Sequence, residues 1–194
     1  MALEKSGIAI WLSAIQLVIS AALFLFAGSD EAGIRLWIRV TAWMSAALFV
    51  VAFAARPLRQ FVRNDATRFA LANRRYIGIA AAFAHFIHGI GIVWLMTAYP
   101  GPGTAVDIVT AIGGGLGFAF YFAMGLTSND ASVEWLGREN WKKLHTVGGY
   151  YVWGIFAFTS LGGVGENWRS AVMFLAFVAV LALRIAARMR KVPA

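Results

Sequence analysis

Six long apolar runs separated by short polar stretches organise this chain: Ile8–Ala27, Ile34–Ala55, Tyr76–Ala98, Val106–Leu126, Leu144–Leu161 and Trp168–Ala187. Each is close to the roughly 20 residues that a helix needs to cross a bilayer. The pattern predicts an all-α integral membrane protein, one six-transmembrane-helix bundle over residues 1–194. The first run is free of charge and follows MALEKSG, which has one Lys and no small-residue cleavage site. It therefore reads as a retained span rather than a signal peptide. Pro57 is expected to stop the second helix, because proline lacks the N–H that continues the ladder.

Composition agrees with this pattern. The chain has 194 residues, 60% hydrophobic and 13% charged, with a mean hydropathy of +0.71. A soluble domain is nearer 45–50% apolar and 25% charged. There is no cysteine, which excludes disulfides, iron–sulfur clusters and zinc–thiolate sites. A net charge of +8 would suggest nucleic acid in a soluble protein, but here the basic residues sit at the ends of apolar runs. Of the 17 Lys and Arg, only Arg35, Arg39 and Arg169 lie towards one side. Lys5, Arg56, Arg59, Arg63, Arg68, Arg74, Arg75, Arg138, Lys142, Lys143, Arg184, Arg188, Arg190 and Lys191 lie towards the other. That bias predicts cytoplasmic N and C termini. Trp37, Trp94 and Trp168 fall at span ends on the outer side and Trp141 on the inner side, as interfacial belts require.

The connections divide in the same way. Those around 28–33, 100–105 and 162–167 are short and Gly-rich. The Arg56–Arg75 stretch is basic and partly amphipathic, and reads as a surface helix on anionic headgroups or as a docking surface for a cytoplasmic partner. In the fourth run Gly113, Gly114, Gly115 and Gly117 include a GxxxG, which allows either close helix packing or room for a flat macrocycle. Lying inside an apolar run, GGGLG is not a phosphate loop, and no soluble segment is long enough for a nucleotide- or flavin-binding domain.

The histidines are the candidate chemistry. His85 and His88 are three residues apart on one face of the third run, and His145 opens the fifth. A buried imidazole without a partner is costly, and in an apolar helical bundle its usual metal is a haem iron. His88 lies 13 residues beyond Arg75, about 20 Å along its helix, whereas His145 is two residues past Lys143, about 3 Å along its own. Two ligands of one iron need nitrogens only about 4 Å apart, with bonds near 2 Å. His88 and His145 therefore mark different levels. Arg74, Arg75, Lys142 and Lys143 at the inner surface suit haem propionates, an anionic flavin or headgroups.

RRYIGIAAAFAHFIH at Arg74–His88, RPLR at Arg56–Arg59, and Thr127–Ser128 followed by LGRENWKKLH at Leu136–His145 resemble motifs of the ferric reductase-like transmembrane domain family, nearest its MsrQ branch of haem-bearing subunits. The resemblance covers most of the chain. It implies haem b as cofactor, with His88 and His145 on ligand positions, a bacterial inner (plasma) membrane location, and electron transfer from a separate cytoplasmic flavin reductase to an outer-side acceptor. One departure stands out: the family's second histidine on the fifth helix, about thirteen residues after the first, is Phe158 here. That leaves three arrangements: His with an unusual ligand such as Met124, a five-coordinate site, or a partly degenerate site in a scaffold.

The leading expectation is a transmembrane b-type haem electron-transfer subunit. The alternative is a non-catalytic subunit of a larger membrane complex, a scaffold or a binder of another tetrapyrrole such as chlorophyll. Transport ranks below both, because apart from Asp107 at an edge no span interior holds a carboxylate.

Overall fold

The computed structural model describes residues 5–190. Residues 1–4 of the leader and Lys191 lie outside them. The described chain is all-helical: α1 (Lys5–Ala27), α2 (Glu31–Phe61), α3 (Asp65–Ala98), α4 (Ile108–Leu126), α5 (Asp130–Leu136), α6 (Arg138–Gly162) and α7 (Trp168–Met189). Each predicted run falls inside one of the six long helices, apart from two residues before α4; α5 is a single short addition between the fourth and fifth.

Local chemistry explains where these helices begin. Asp30, Asn64, Asp107, Asn129 and Asn167 each cap a helix by accepting from a backbone N–H in its first turn. At Asn64 the cap is reciprocal, because Thr67 Oγ1 accepts from the Asn64 N–H. α6 starts instead from Gly137, whose φ of 76° lets the chain reverse directly out of α5.

Five helices have the length and hydropathy of membrane spans: α1, α2, α3, α4 and α7. α6 does not reach that hydropathy, because its first half carries His145, Thr146, Gly148, Gly149, Tyr150 and Tyr151. Large apolar side chains face outward throughout, among them Leu25, Phe26, Ile108, Val109 and Leu175. A soluble monomer seldom exposes apolar patches on that scale. Several long helices with an apolar exterior suit a bundle in lipid.

The packing forms a closed ring. α2 lies along α3, α3 against α4, α4 against α6, α6 against α7, and α7 returns to α2. α1 sits outside on α2 and α3, where Gln16 Nε2 donates to the Ala80 carbonyl at 3.1 Å. Close approach of α2 and α3 depends on Gly91, where a Cβ would stand 2.8 Å from Ile38. The ring's interior is plugged by Phe49, Tyr121, Val152, Phe156 and Phe177, with Phe156 and Phe177 stacked at 5.5 Å.

Two expectations change here. The Arg56–Arg75 stretch is not a separate surface helix: α2 runs on to Phe61 and α3 begins at Asp65, so the two form one helical hairpin. Pro57 does not stop α2 but lies inside it. Its missing N–H frees the carbonyl four residues earlier, on Phe53, and Arg184 Nη1 of α7 donates to that oxygen at 3.0 Å. The same guanidinium lies over the Phe53 ring at 3.8 Å and donates to Tyr150 Oη at 3.1 Å. A charged donor from a neighbouring helix thus replaces the lost backbone bond.

Arg184→Gln is expected to destabilise the bundle by about 1.5–3 kcal/mol, the loss of a hydrogen bond from a charged group. In a Pro57→Ala background, where the backbone N–H is restored, the same substitution should cost measurably less. Thermal unfolding of the four proteins of this cycle in detergent measures the coupling.

Candidate functional site: two cavities within the helical ring

The aromatic plug divides the interior into two cavities of opposite character. The upper one, about 550 Å³, lies among α2, α3, α4, α6 and α7 and is lined by His85, His88, Phe118, Phe156, Gly114 and Gly115 with other apolar side chains. Arg39 is its one Lys or Arg. The lower one, about 590 Å³, opens at the arginine-rich end and holds His145 with Arg56, Arg74, Arg75, Arg138, Lys142 and Arg184. No Asp or Glu lines either cavity.

The helices place the histidines as the spacing requires. His85 and His88 share the inner face of α3 and their rings stand 5.3 Å apart, both in the upper cavity. His145, two turns into α6, lies in the lower cavity with Arg74 and Arg75. The structure therefore brings Arg74 and Arg75 to His145 and not to His88. Met124 lines the lower cavity with His145, and its sulfur packs beside Gly148.

Hydrogen bonding gives His88 and His145 opposite roles. His88 Nδ1 is 2.9 Å from the Ile38 carbonyl, and a carbonyl only accepts, so Nδ1 carries the proton. Nε2 is left with its lone pair on a ring that lines the cavity. This is the arrangement in which a backbone carbonyl orients a metal-ligating imidazole. His145 Nε2 is 3.0 Å from Thr127 Oγ1, whose single proton already goes to the Ala123 carbonyl at 2.6 Å. Nε2 of His145 is therefore a donor, and its ring is stacked under Trp141 at 4.2 Å. Trp141 Nε1 donates in turn to the Thr127 carbonyl at 2.8 Å. His145 reads as part of a joint between α4 and α6.

His85 has a third environment. It is 8% exposed, its Nδ1 is buried without a partner, and its ring stacks on Tyr121 at 4.6 Å and packs on Phe118 at 4.3 Å. Tyr121 also borders the lower cavity, so His85 and Tyr121 together form the wall between the two chambers. Ser45 Oγ is 3.0 Å from the Ala81 carbonyl and 3.2 Å from Tyr121 Oη. With one proton to give to the carbonyl, Ser45 accepts from the tyrosine.

The glycines of α4 meet two different surroundings. Gly113 and Gly117 pack on Ile155, whereas a Cβ at Gly114 or Gly115 would meet nothing within 4 Å on the cavity side. Phe158 does not stand where a second histidine ligand would: it is 76% exposed on the outer face of α6 and lines neither cavity. Ile155, Phe156, Thr159 and Ser160 are the described α6 residues that line the upper cavity. Sequence reasoning missed Tyr121 and the Ile38 carbonyl. A lone tyrosine within the apolar run FAFYFAM was a signal for the first, and nothing in the sequence marks the second.

Among the described residues no three His, Cys, Asp or Glu side chains converge to hold a bare metal ion. A tetrapyrrole brings four ligands of its own and asks the protein for only one or two. The upper cavity fits that demand: one oriented imidazole on His88, an open glycine wall, and Arg39 for a carboxylate. Comparison with known proteins found no matching family model, curated protein or solved structure.

Tyr121→Phe is expected to cost about 1 kcal/mol, the net worth of one buried hydrogen bond. Tyr121→Leu, which also opens the wall between the cavities, should cost about 2–4 kcal/mol. Unfolding midpoints in detergent compare the two.

Proposed function

We propose that the protein is a b-type haem electron-transfer subunit of a bacterial inner membrane, with six spans and cytoplasmic termini, and that its haem lies in the upper cavity on His88. The observation that carries this reading is the hydrogen bond from His88 Nδ1 to Ile38, which frees Nε2 towards a cavity of macrocycle dimensions. Supporting it are the largely apolar lining, Arg39 for a propionate, and the motif resemblance of Arg74–His88. When bound, a b-type haem supplies reversible one-electron chemistry. The chain's own share is orientation by Ile38, exclusion of water by Phe118 and Phe156, and a compact aromatic wall, Tyr121 on His85, towards the lower cavity. That lower cavity, on the cytoplasmic side in this reading, is where a separate flavin reductase would deliver electrons; the outer-side acceptor meets the short loops at the opposite end.

The second reading is a non-catalytic or pigment-bearing subunit. One observation favours it: His145 Nε2 is already engaged with Thr127, so the lower level offers no free Nε2 to a second haem.

Reduced-minus-oxidised absorption with a pyridine haem assay, on protein purified in detergent, decides between them. A b-type spectrum is expected. His88→Ala should lose at least about 90% of the haem, a tenfold change, as for loss of a principal ligand or its support. His145→Ala should keep most of it, and Phe158→His should leave the spectrum unchanged because that side chain faces outward. A colourless, well-folded preparation defeats the haem reading in favour of the second.

A further inference from the structure

We propose that the lower, basic cavity is a binding site for a phosphate-bearing anion, taken either as the headgroup of an acidic membrane lipid or as a free phosphate ester. The reason lies in how the described cations are partnered. Arg35, Arg68, Arg75 and Lys143 are in ion pairs with Glu31, Asp65, Asp130 and Glu139. Arg59, Arg184 and Arg190 donate to backbone carbonyls. By contrast Arg56, Arg74, Arg138 and Lys142, from α2, α3 and α6, make no ion pair and no hydrogen bond among the described residues, yet all four line one cavity; Arg63, Arg169 and Arg188 are likewise unbonded, but they lie outside it, and Arg169 and Arg188 rest on aromatic rings. Arg56 and Arg74 are close enough for their charges to repel.

Like charges collected without a carboxylate cost the fold self-repulsion, which a bound anion offsets. A single carboxylate offers only two acceptor oxygens to four cations. A phosphate group presents several acceptor oxygens and suits the guanidinium fork and the lysine point charge alike. Below the cationic rim the lining turns apolar, with Phe53, Tyr121, Trp141 and Met124, so the cavity has room for an apolar body beneath an anionic head. An anchoring role towards bulk headgroups would not need four unpaired cations to face one enclosed space. The proposal does not rest on haem in the upper cavity.

The test uses protein in neutral detergent, following the thermal unfolding midpoint and tryptophan fluorescence, which Trp141 brings into the cavity. Short-chain phosphatidylglycerol, phosphatidylcholine of equal chain length, and inorganic pyrophosphate are titrated separately. Phosphatidylglycerol is expected to raise the midpoint and phosphatidylcholine to leave it unchanged. A response to phosphatidylglycerol alone assigns a lipid headgroup, and a response to pyrophosphate without lipid assigns a free phosphate ester. Arg56→Gln with Arg74→Gln, and separately Arg138→Gln with Lys142→Gln, should each raise the half-maximal concentration at least about tenfold, or 1.4 kcal/mol. Arg63→Gln with Arg68→Gln, outside the cavity, should not. No response to either anion, or an equal loss in the Arg63 and Arg68 control, overturns the proposal. The haem spectrum of the same samples reports on His88 in the other cavity, so the two readings fail separately.

Discussion

The hydrogen bond between His88 and the Ile38 carbonyl is the contact on which the chemistry of this bundle turns. It joins α2 to α3, the most closely packed pair of the ring, at the turn where Gly91 lets their backbones approach. In a low-dielectric interior a neutral imidazole keeps its one proton where an acceptor exists. Ile38 is that acceptor, so the helix packing itself decides which nitrogen faces the cavity. Anything that pushed α2 from α3 would loosen the fold and turn the ring together.

The same reasoning separates the two chambers. In the upper one charge is sparse: two imidazoles, one with a held proton, and a single arginine stand beside the hydroxyls of Thr110, Thr159, Ser160 and Ser170. In the lower one charge is dense and of one sign. Between them the plug of Phe49, Tyr121, Phe156 and Phe177 is continuous, and the Tyr121 hydroxyl is satisfied by Ser45. A polar lower chamber can then face an aqueous surface while the upper one stays apolar, although they are one aromatic layer apart.

Much of the architecture was legible because the six apolar runs are long, and each falls within one helix apart from two residues before α4. The site was legible only in part, for physical reasons that differ by residue. His85 and His88 came together because i and i+3 on a helix must. Their separation from His145 came from counting rise along two helices. Pro57 misled because the rule for proline concerns the helix alone, and here Arg184 of another helix takes up the orphaned carbonyl. Phe158 misled because a spacing of thirteen residues was carried over from a resemblance. At 3.6 residues per turn, the face defined by Ile155, Phe156, Thr159 and Ser160 leaves Phe158 more than a third of a turn away, towards the exterior. The tautomers were invisible, since a histidine's proton is placed by whatever carbonyl or hydroxyl the tertiary fold supplies.

Charge shows why a one-dimensional count is a coarse guide in such a protein. Counted along the chain, the basic residues of the connections form one undivided excess that orients a bundle in a bilayer. In three dimensions they divide by partner: some neutralise a carboxylate on the same or a neighbouring helix, some donate to backbone carbonyls, and of those that do neither among the described residues, four line one cavity. The Arg75 guanidinium, bonded to Asp130 at 2.7 Å, holds that carboxyl below its ordinary range. Its neighbour Arg74, one residue earlier and about 100° round the helix, has no such partner. Adjacent residues of one arginine pair thus serve different ends, one stapling α3 to α5 and the other lending charge to a cavity. A topology rule weighs both alike, because it depends on the number of charges near a membrane surface and not on what each charge touches.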